Sequence, residues 1–308
     1  MTARKPMIGL AMVSAATLIV VAARLLVVRT LDGTFVVGWP SAVLGQFRID
    51  AVLAAAAAGA ALGVSGAIMQ TLLRNPLASP FVLGVTSGAG AGVALASLAA
   101  AWAGMAAPVG AALGVPALIG AVTALGVVLL LARRGGSIDP VTLILSGVIV
   151  GAIASALSTV AESLLPPERR GLLAGWLFGR IPDVPDPGAL AACAFAACGL
   201  TALAATWGSR LDAAALSDDE ARSVGVPLAP MRTAMFLGCG IATAASVALC
   251  GPIAFIGLLA PHCARAMVVR ATERWWLALR SLAPDSSSVR THFGSGSISA
   301  AVACHWAQ

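Results

Sequence analysis

Ser65 stands between glycines in Gly63-Val64-Ser65-Gly66, deep in an apolar run. A serine so placed attacks a carbonyl only if a base takes its proton and donors hold the oxyanion that forms. His262 is the first of three histidines, ahead of His292 and His305, and it too lies in an apolar run, which makes it the candidate base. Asn75 is the only asparagine, and nothing else in the chain matches the oxyanion-stabilising groups of an intramembrane serine protease. The same serine at a close helix crossing needs no such partners, and that is the better supported of the two readings.

Other chemistries are excluded. Lys5 is the only lysine, so no G-x-x-x-x-G-K-[ST] phosphate loop can exist, and any ATP-driven work has to be powered by a partner. The histidines form no H-E-x-x-H pair, and Cys193, Cys198, Cys239, Cys250 and Cys263 include no C-x-x-C. No metal site and no cofactor is expected, and these cysteines read as small apolar packing groups.

The remaining polar groups gather where apolar runs stop. Arg74-Asn75-Pro76-Leu77 ends one run and Pro261-His262 interrupts another. Each proline frees backbone groups beside it, and the side chains of Asn75 and His262 are the candidates to satisfy them. A third cluster runs from Leu211 to Val226, with Asp212, Leu216, Asp218, Asp219, Glu220, Ala221, Arg222 and Gly225. It reads as one short amphipathic helix, its acids early and Arg222 late in accord with the helix dipole, closed by Gly225.

The elements that must position these groups follow from composition. With 59% hydrophobic residues, 10% charged residues and a mean hydropathy of +0.94, the chain lacks the polar surface of a soluble domain, about a quarter of whose residues are charged. It is an all-α polytopic membrane protein. Apolar runs of roughly 20 residues fall near 7–28, 51–70, 82–101, 109–132, 141–164, 188–207, 231–249 and 251–269, which gives eight helical spans. The first resembles a signal peptide with Ala22-Ala23 as its cleavage site, but it stays apolar to Val28 and more spans follow, so an uncleaved helix is expected.

Charge sets the orientation. A cytoplasmic N-terminus puts Arg4, Lys5, Arg74, Arg133, Arg134, Arg210, Arg222, Arg232, Arg265, Arg270 and Arg274 inside, against Arg24, Arg29, Arg48, Arg169, Arg170 and Arg180 outside. Basic residues mark the retained side, so the N-terminus is expected inside. The net charge of +6 is thus a topology signal, and no basic stripe interleaved with aromatics speaks for nucleic acid. Gly59 and Gly63, then Gly84, Gly88 and Gly92, then Gly147 and Gly151 recur at four-residue spacing, which suits close helix packing in lipid. The interval from Gly66 to Pro76 equals that from Gly251 to Pro261, a faint trace of an inverted repeat.

Four segments together resemble the FecCD family, the permeases of ABC importers for iron-siderophores, haem and cobalamin. They are Gly59–Gly66 through Gln70, Arg74-Asn75-Pro76-Leu77 and on to Gly84–Gly88; Leu143–Val148, with Trp176-Leu177-Phe178-Gly179 after it; the acidic loop ending at Val226; and Gly251-Pro252 through Phe255, Gly257, Pro261 and His262 to Arg265. The resemblance implies a ten-helix permease of the bacterial inner membrane. It would work as a homodimer with two cytoplasmic ABC ATPases and a periplasmic substrate-binding protein.

The resemblance also implies roles. Leu211 to Val226 would dock into the ATPase. The translocation pathway would be lined by the fifth helix, over Ser146, Gly147, Gly151, Ser155 and Ser158, with Ser137 and Thr142 at its inner mouth. Arg48 or Arg180 would meet the binding protein. Two departures stand out. The family's R-L-P-R opening of the second helix is Arg48-Ile49-Asp50-Ala51 here, and beyond Trp276 the chain turns polar and matches nothing in the family. Residues 1–275 are therefore expected to form the permease domain, with about eight of the ten helices. Residues 276–308 are expected to be a tail of the kind a changed reading frame leaves. The alternatives are a non-transporting remnant of this scaffold and, from another class, the intramembrane protease.

Overall fold

The computed structural model describes residues 4–29, 34–134 and 137–265. The long helices are α1 (Arg4–Leu26), α2 (Ala42–Leu72), α3 (Val85–Trp102), α4 (Gly114–Leu131), α5 (Pro140–Leu164), α7 (Pro187–Thr206) and α10 (Leu228–Cys250). Shorter helices lie between them: α6 (Pro167–Leu177), α8 (Gly208–Leu216) and α9 (Asp218–Ser223). The described part of α11 covers residues 256–265. Two small antiparallel ribbons pair Val27–Arg29 with Phe35–Val37, and Arg133–Arg134 with Ser137–Ile138.

Local sequence explains where several helices begin. Proline occupies the first helical position of α5, α6 and α7, where its missing N–H costs nothing. Ahead of two of these prolines stands an aspartate cap. Asp139 accepts from the Thr142 N–H at 2.7 Å, and Asp186 from the Ala189 N–H at 2.8 Å.

Six helices among the described residues are long and apolar enough to span a bilayer, and they match the expected runs from 51–70 to 231–249. The expected first span is α1. The eighth needs correction at its start. The chain does not run on as helix from residue 251, because Gly251 adopts φ +69°, Pro252 follows, and Phe255 is itself left-handed at φ +67°. Helix resumes at 256, and the span's expected end, like the expected tail at 276–308, lies outside the described residues.

The helices form two packed groups joined through α10. One holds α2, α7 and α10, and the other α3, α4 and α5. The apolar window of α10 is 67% buried, with Met231, Met235 and Phe236 fully enclosed, whereas that of α5 is only 22% buried. Small residues do what apolar attraction cannot do between helices in lipid. A Cβ on Gly88 would lie 2.6 Å from the Gly120 carbonyl oxygen, and one on Gly92 would overlap the Pro116 carbonyl, so α3 and α4 touch backbone to backbone. Gly59, of the same spacing pattern, faces open space.

Candidate functional site

At one end of the bundle the acidic loop forms an elbow of two helices instead of the single expected one. The break is at Ser217, extended at φ −143° and ψ 164°. Its hydroxyl accepts from the Glu220 N–H at 3.1 Å and donates to the Glu220 carboxylate at 2.6 Å, which starts α9 afresh. Gly225 closes α9 at φ +79°, with the Val226 N–H bonded to the Ala221 carbonyl at 2.9 Å. Leu211 and Ala221 are buried under the elbow, while Asp212, Asp219, Glu220, Arg222 and Gly225 are exposed on it. Leu216 is the last residue of α8.

Two arginines converge on this elbow, one in α10 and one just past the end of α2. Arg232, near the start of α10 and 5% exposed, grips the Asp218 carboxylate with both terminal nitrogens at 2.8 and 2.9 Å. Arg74 reaches the same carboxylate at 2.5 Å and donates to the Ala214 carbonyl of α8 at 3.0 and 3.1 Å. The hydrogen bonds from Arg232 hold the Asp218 carboxyl below its ordinary range, with Arg74 adding to the effect and partial burial opposing it. Arg74 sits just past the end of α2, where the Arg74 N–H bonds to Thr71 and the Asn75 N–H to Gln70. That is the position at which a glycine usually ends a helix, and Arg74 takes it at φ +49°.

The turn that follows uses Asn75 as expected of a backbone partner. Its side-chain oxygen accepts from the Leu77 N–H at 2.9 Å, and Pro76 lies between. Pro261 of α11 leaves the Gly257 carbonyl without its helical donor, and this carbonyl faces Gly66 so closely that a Cβ there would overlap it. One helical turn further along α2, Gln70 donates to the Leu258 carbonyl at 3.3 Å and accepts from Arg265. His262 places its Nδ1 3.0 Å from the same Leu258 carbonyl, and donates to it when Nδ1 carries the proton.

The other motif residues also meet in pairs. Gly147 makes room for the Val82 carbonyl, in the tight turn Pro80–Leu83 that Gly84 closes at φ +69°. Gly251 and Gly179 approach each other's segments, and the Arg180 N–H bonds to the Cys250 carbonyl at 2.7 Å. Of the residues expected along the pathway, Ser146 is buried, donating to the Thr142 carbonyl at 2.7 Å, and Thr142 caps α5 together with Asp139. Ser137, Gly151 and Ser158 are half-buried, and Ser155 lies on the open face of α5 with Val148, Ala152 and Thr159.

At the opposite end, Arg48 is engaged inside the chain. It donates to the Leu25 carbonyl at 2.7 Å and so caps the end of α1. Arg170 likewise holds carbonyls of Ser163 and Leu165, and Arg169 that of Met105. Arg180 stays 80% exposed, with Asp183 at 3.5 Å. Sequence reasoning missed Arg232 and Gly120 as structural partners. Arg232 carried a signal, since a charge at the edge of an apolar helix calls for a partner.

Residues 7–283 match the FecCD transport family. The chain belongs to that family. Its motif segments pack against one another at Gly66 and Gly257, Gly147 and Val82, Gly179 and Pro252, and Arg74 and Asp218. The ferric enterobactin transport system permease protein FepG of Escherichia coli is 37% identical over 244 residues, 78% of this chain and 70% of that protein. The vitamin B12 import system permease protein BtuC of Citrobacter koseri is 36% identical over 71% of this chain and 64% of its own length. A probable iron chelatin transport system permease protein of Helicobacter pylori is 33% identical over 73% and 66%. The chain therefore spans about two thirds of the length of these relatives. A solved metal-chelate type ABC transporter in an inward-facing conformation aligns with a TM-score of 0.69 at 25% identity, covering 93% of both chains.

FecCD membership makes the chain a multi-pass membrane permease and not an enzyme. The protease reading falls with it. Ser65 is fully buried and donates to the Ala61 carbonyl at 2.7 Å, the ordinary back-bond of a serine within a helix.

Proposed function

We propose that this chain forms the translocation pathway of an ATP-driven importer for metal chelates of the iron-siderophore, haem or cobalamin kind. The observation that carries the reading is the elbow α8–α9, held by arginines from α2 and α10 in a chain of the FecCD family. A permease needs a firm handle for its motor, and this is the polar handle the described bundle offers. The chain would act as a homodimer, with the elbow facing two cytoplasmic ATPases, the N-terminus on the same side, and a periplasmic binding protein at the other end. Arg180, more exposed than Arg24, is an outer cation suited to that docking, because Arg48 is taken up by α1. The open α5 face through Ser155 would line the route between the two copies.

The test is reconstitution of the chain in vesicles with a cognate ATPase and binding protein. Uptake of a radiolabelled ferric chelate or corrinoid that needs both ATP and the binding protein is the expected result. A properly assembled complex that hydrolyses ATP and takes up none of them refutes the reading.

A further inference from the structure

Asp218 holds three hydrogen bonds from two arginines, one in α10 and one just past the end of α2, and Arg74 adds two more to the end of α8. Arg74 does so from a left-handed backbone that a side chain adopts reluctantly, at a position where glycine would be free of strain. Local strain of this kind persists only where the surroundings impose it, and here the guanidinium contacts are the surroundings. The other end of the same α2 turn is tied through Gln70 to Leu258 and Arg265 of α11. The side-chain bonds of Asp218 thus run toward α10 and the end of α2.

We infer that Asp218 is a positioning residue, the tie through which movement of the elbow α8–α9 is passed to α2 and α10, and from α2 to α11. The inference rests on the importer reading for its biological use, but the tie itself is a property of this chain. Arg232 and Arg74 are its two anchors. Without the carboxylate between them, the two guanidiniums face each other, α10 loses its side-chain bond to the elbow, and the elbow keeps the Arg74 bonds to the Ala214 carbonyl and its apolar contacts through Leu211, Ala214 and Ala221. The elbow would then still offer its exposed face to a partner, and the partner's motion would be lost in slack.

Asp218→Asn tests this in the whole complex, with Asp218→Glu as the conservative control. Two measurements are made on the same variants. In the chain in lipid nanodiscs, amide exchange over residues 208–226 should rise by about tenfold or more in Asp218→Asn, with α3 and α4 unchanged. In vesicles with ATPase and binding protein, ATP turnover is measured beside uptake so that transport is read per ATP hydrolysed. Uptake per ATP should fall by about tenfold, the size of an ordinary coupling between sites, and Asp218→Glu should recover much of it. Unchanged exchange overturns the tie. Faster exchange with unchanged uptake per ATP overturns the transmission role, as does loss of ATPase binding in step with uptake. Failure of the parent complex to transport at all counts against the importer reading alone, and the exchange measurement still decides the tie.

Discussion

Gly66→Ala places one methyl group on α2 where it meets the Gly257 carbonyl. That oxygen belongs to backbone, so no side chain can swing aside, and α11 must move off by roughly an ångström or more to reach an ordinary C···O contact of about 3.3 Å. Such a shift strains the Gln70 bond to the Leu258 carbonyl, already 3.3 Å long, and the Gln70–Arg265 pair. Overpacking costs about 1–3 kcal/mol, and each weakened polar bond between membrane helices about 0.6 kcal/mol. Against this, alanine gains about 1 kcal/mol of helix propensity over glycine. The net loss expected is about 1–3 kcal/mol. Gly59→Ala, two turns earlier on the same helix and facing open space, isolates the propensity gain and should be stabilising by up to about 1 kcal/mol. Unfolding both variants by denaturant titration in mixed micelles measures the difference directly. If Gly66→Ala proves as stable as Gly59→Ala, the reasoning about the α2–α11 crossing is wrong.

Asp218 gives a pH prediction. Its folded carboxyl is held below the ordinary value of 3.8, so the stabilisation is fully present above that value and is lost as pH falls through the lower folded value. Amide protection in α8 and α9 should therefore be flat from pH 7 to about 5, once intrinsic exchange rates are corrected for, and collapse only in stronger acid. A collapse near pH 6 would point to some other group. Asp186→Ala should cost about 0.5–2 kcal/mol through loss of the α7 cap, seen as a lower unfolding midpoint, while Asp186→Asn should recover most of it. Arg48→Ala should raise amide exchange at the end of α1 and leave binding-protein affinity within about twofold, whereas Arg180→Glu should weaken that affinity by electrostatic mismatch. Surface-plasmon titration of the two variants against the binding protein separates these outcomes, and the reverse pattern would return the docking role to Arg48.

The bundle was legible because bilayer spans announce themselves by composition, and the family motifs by their order along the chain. The motif residues were less legible as pairs. Nothing in Ser65–Pro80 says that Gly66 must meet Gly257, since the partner lies far along the chain and a glycine leaves no trace of what it makes room for. Gly120 was passed over for the same reason, having no partner glycine at four-residue spacing, although it takes the closest approach of α3. Arg48 read as an outward-facing cation because sequence shows charge and not reach, and its long stem carries the guanidinium back to α1. The break at Ser217 was readable as Ser-x-x-Glu, a helix-starting box inside a stretch that its acids and Arg222 made look continuous.

A permease must be loose where cargo passes and stiff where force enters, and on the proposed roles these demands fall on different helices. α5, like α7, buries little of itself, and it carries its small polar residues partly on an open face. α10 is buried over most of its length and α2 meets it directly, while both carry a guanidinium on the same carboxylate. Packed cores respond to a push as units and do not deform continuously. A displacement of the elbow would therefore move α2 and α10 together, and α5 would follow through the Gly147–Val82 and Gly84 contacts near its N-terminal end. On this arrangement the tight turn Pro80–Leu83 is the junction between the stiff and the open halves, because it touches α2, α5 and α10 at once.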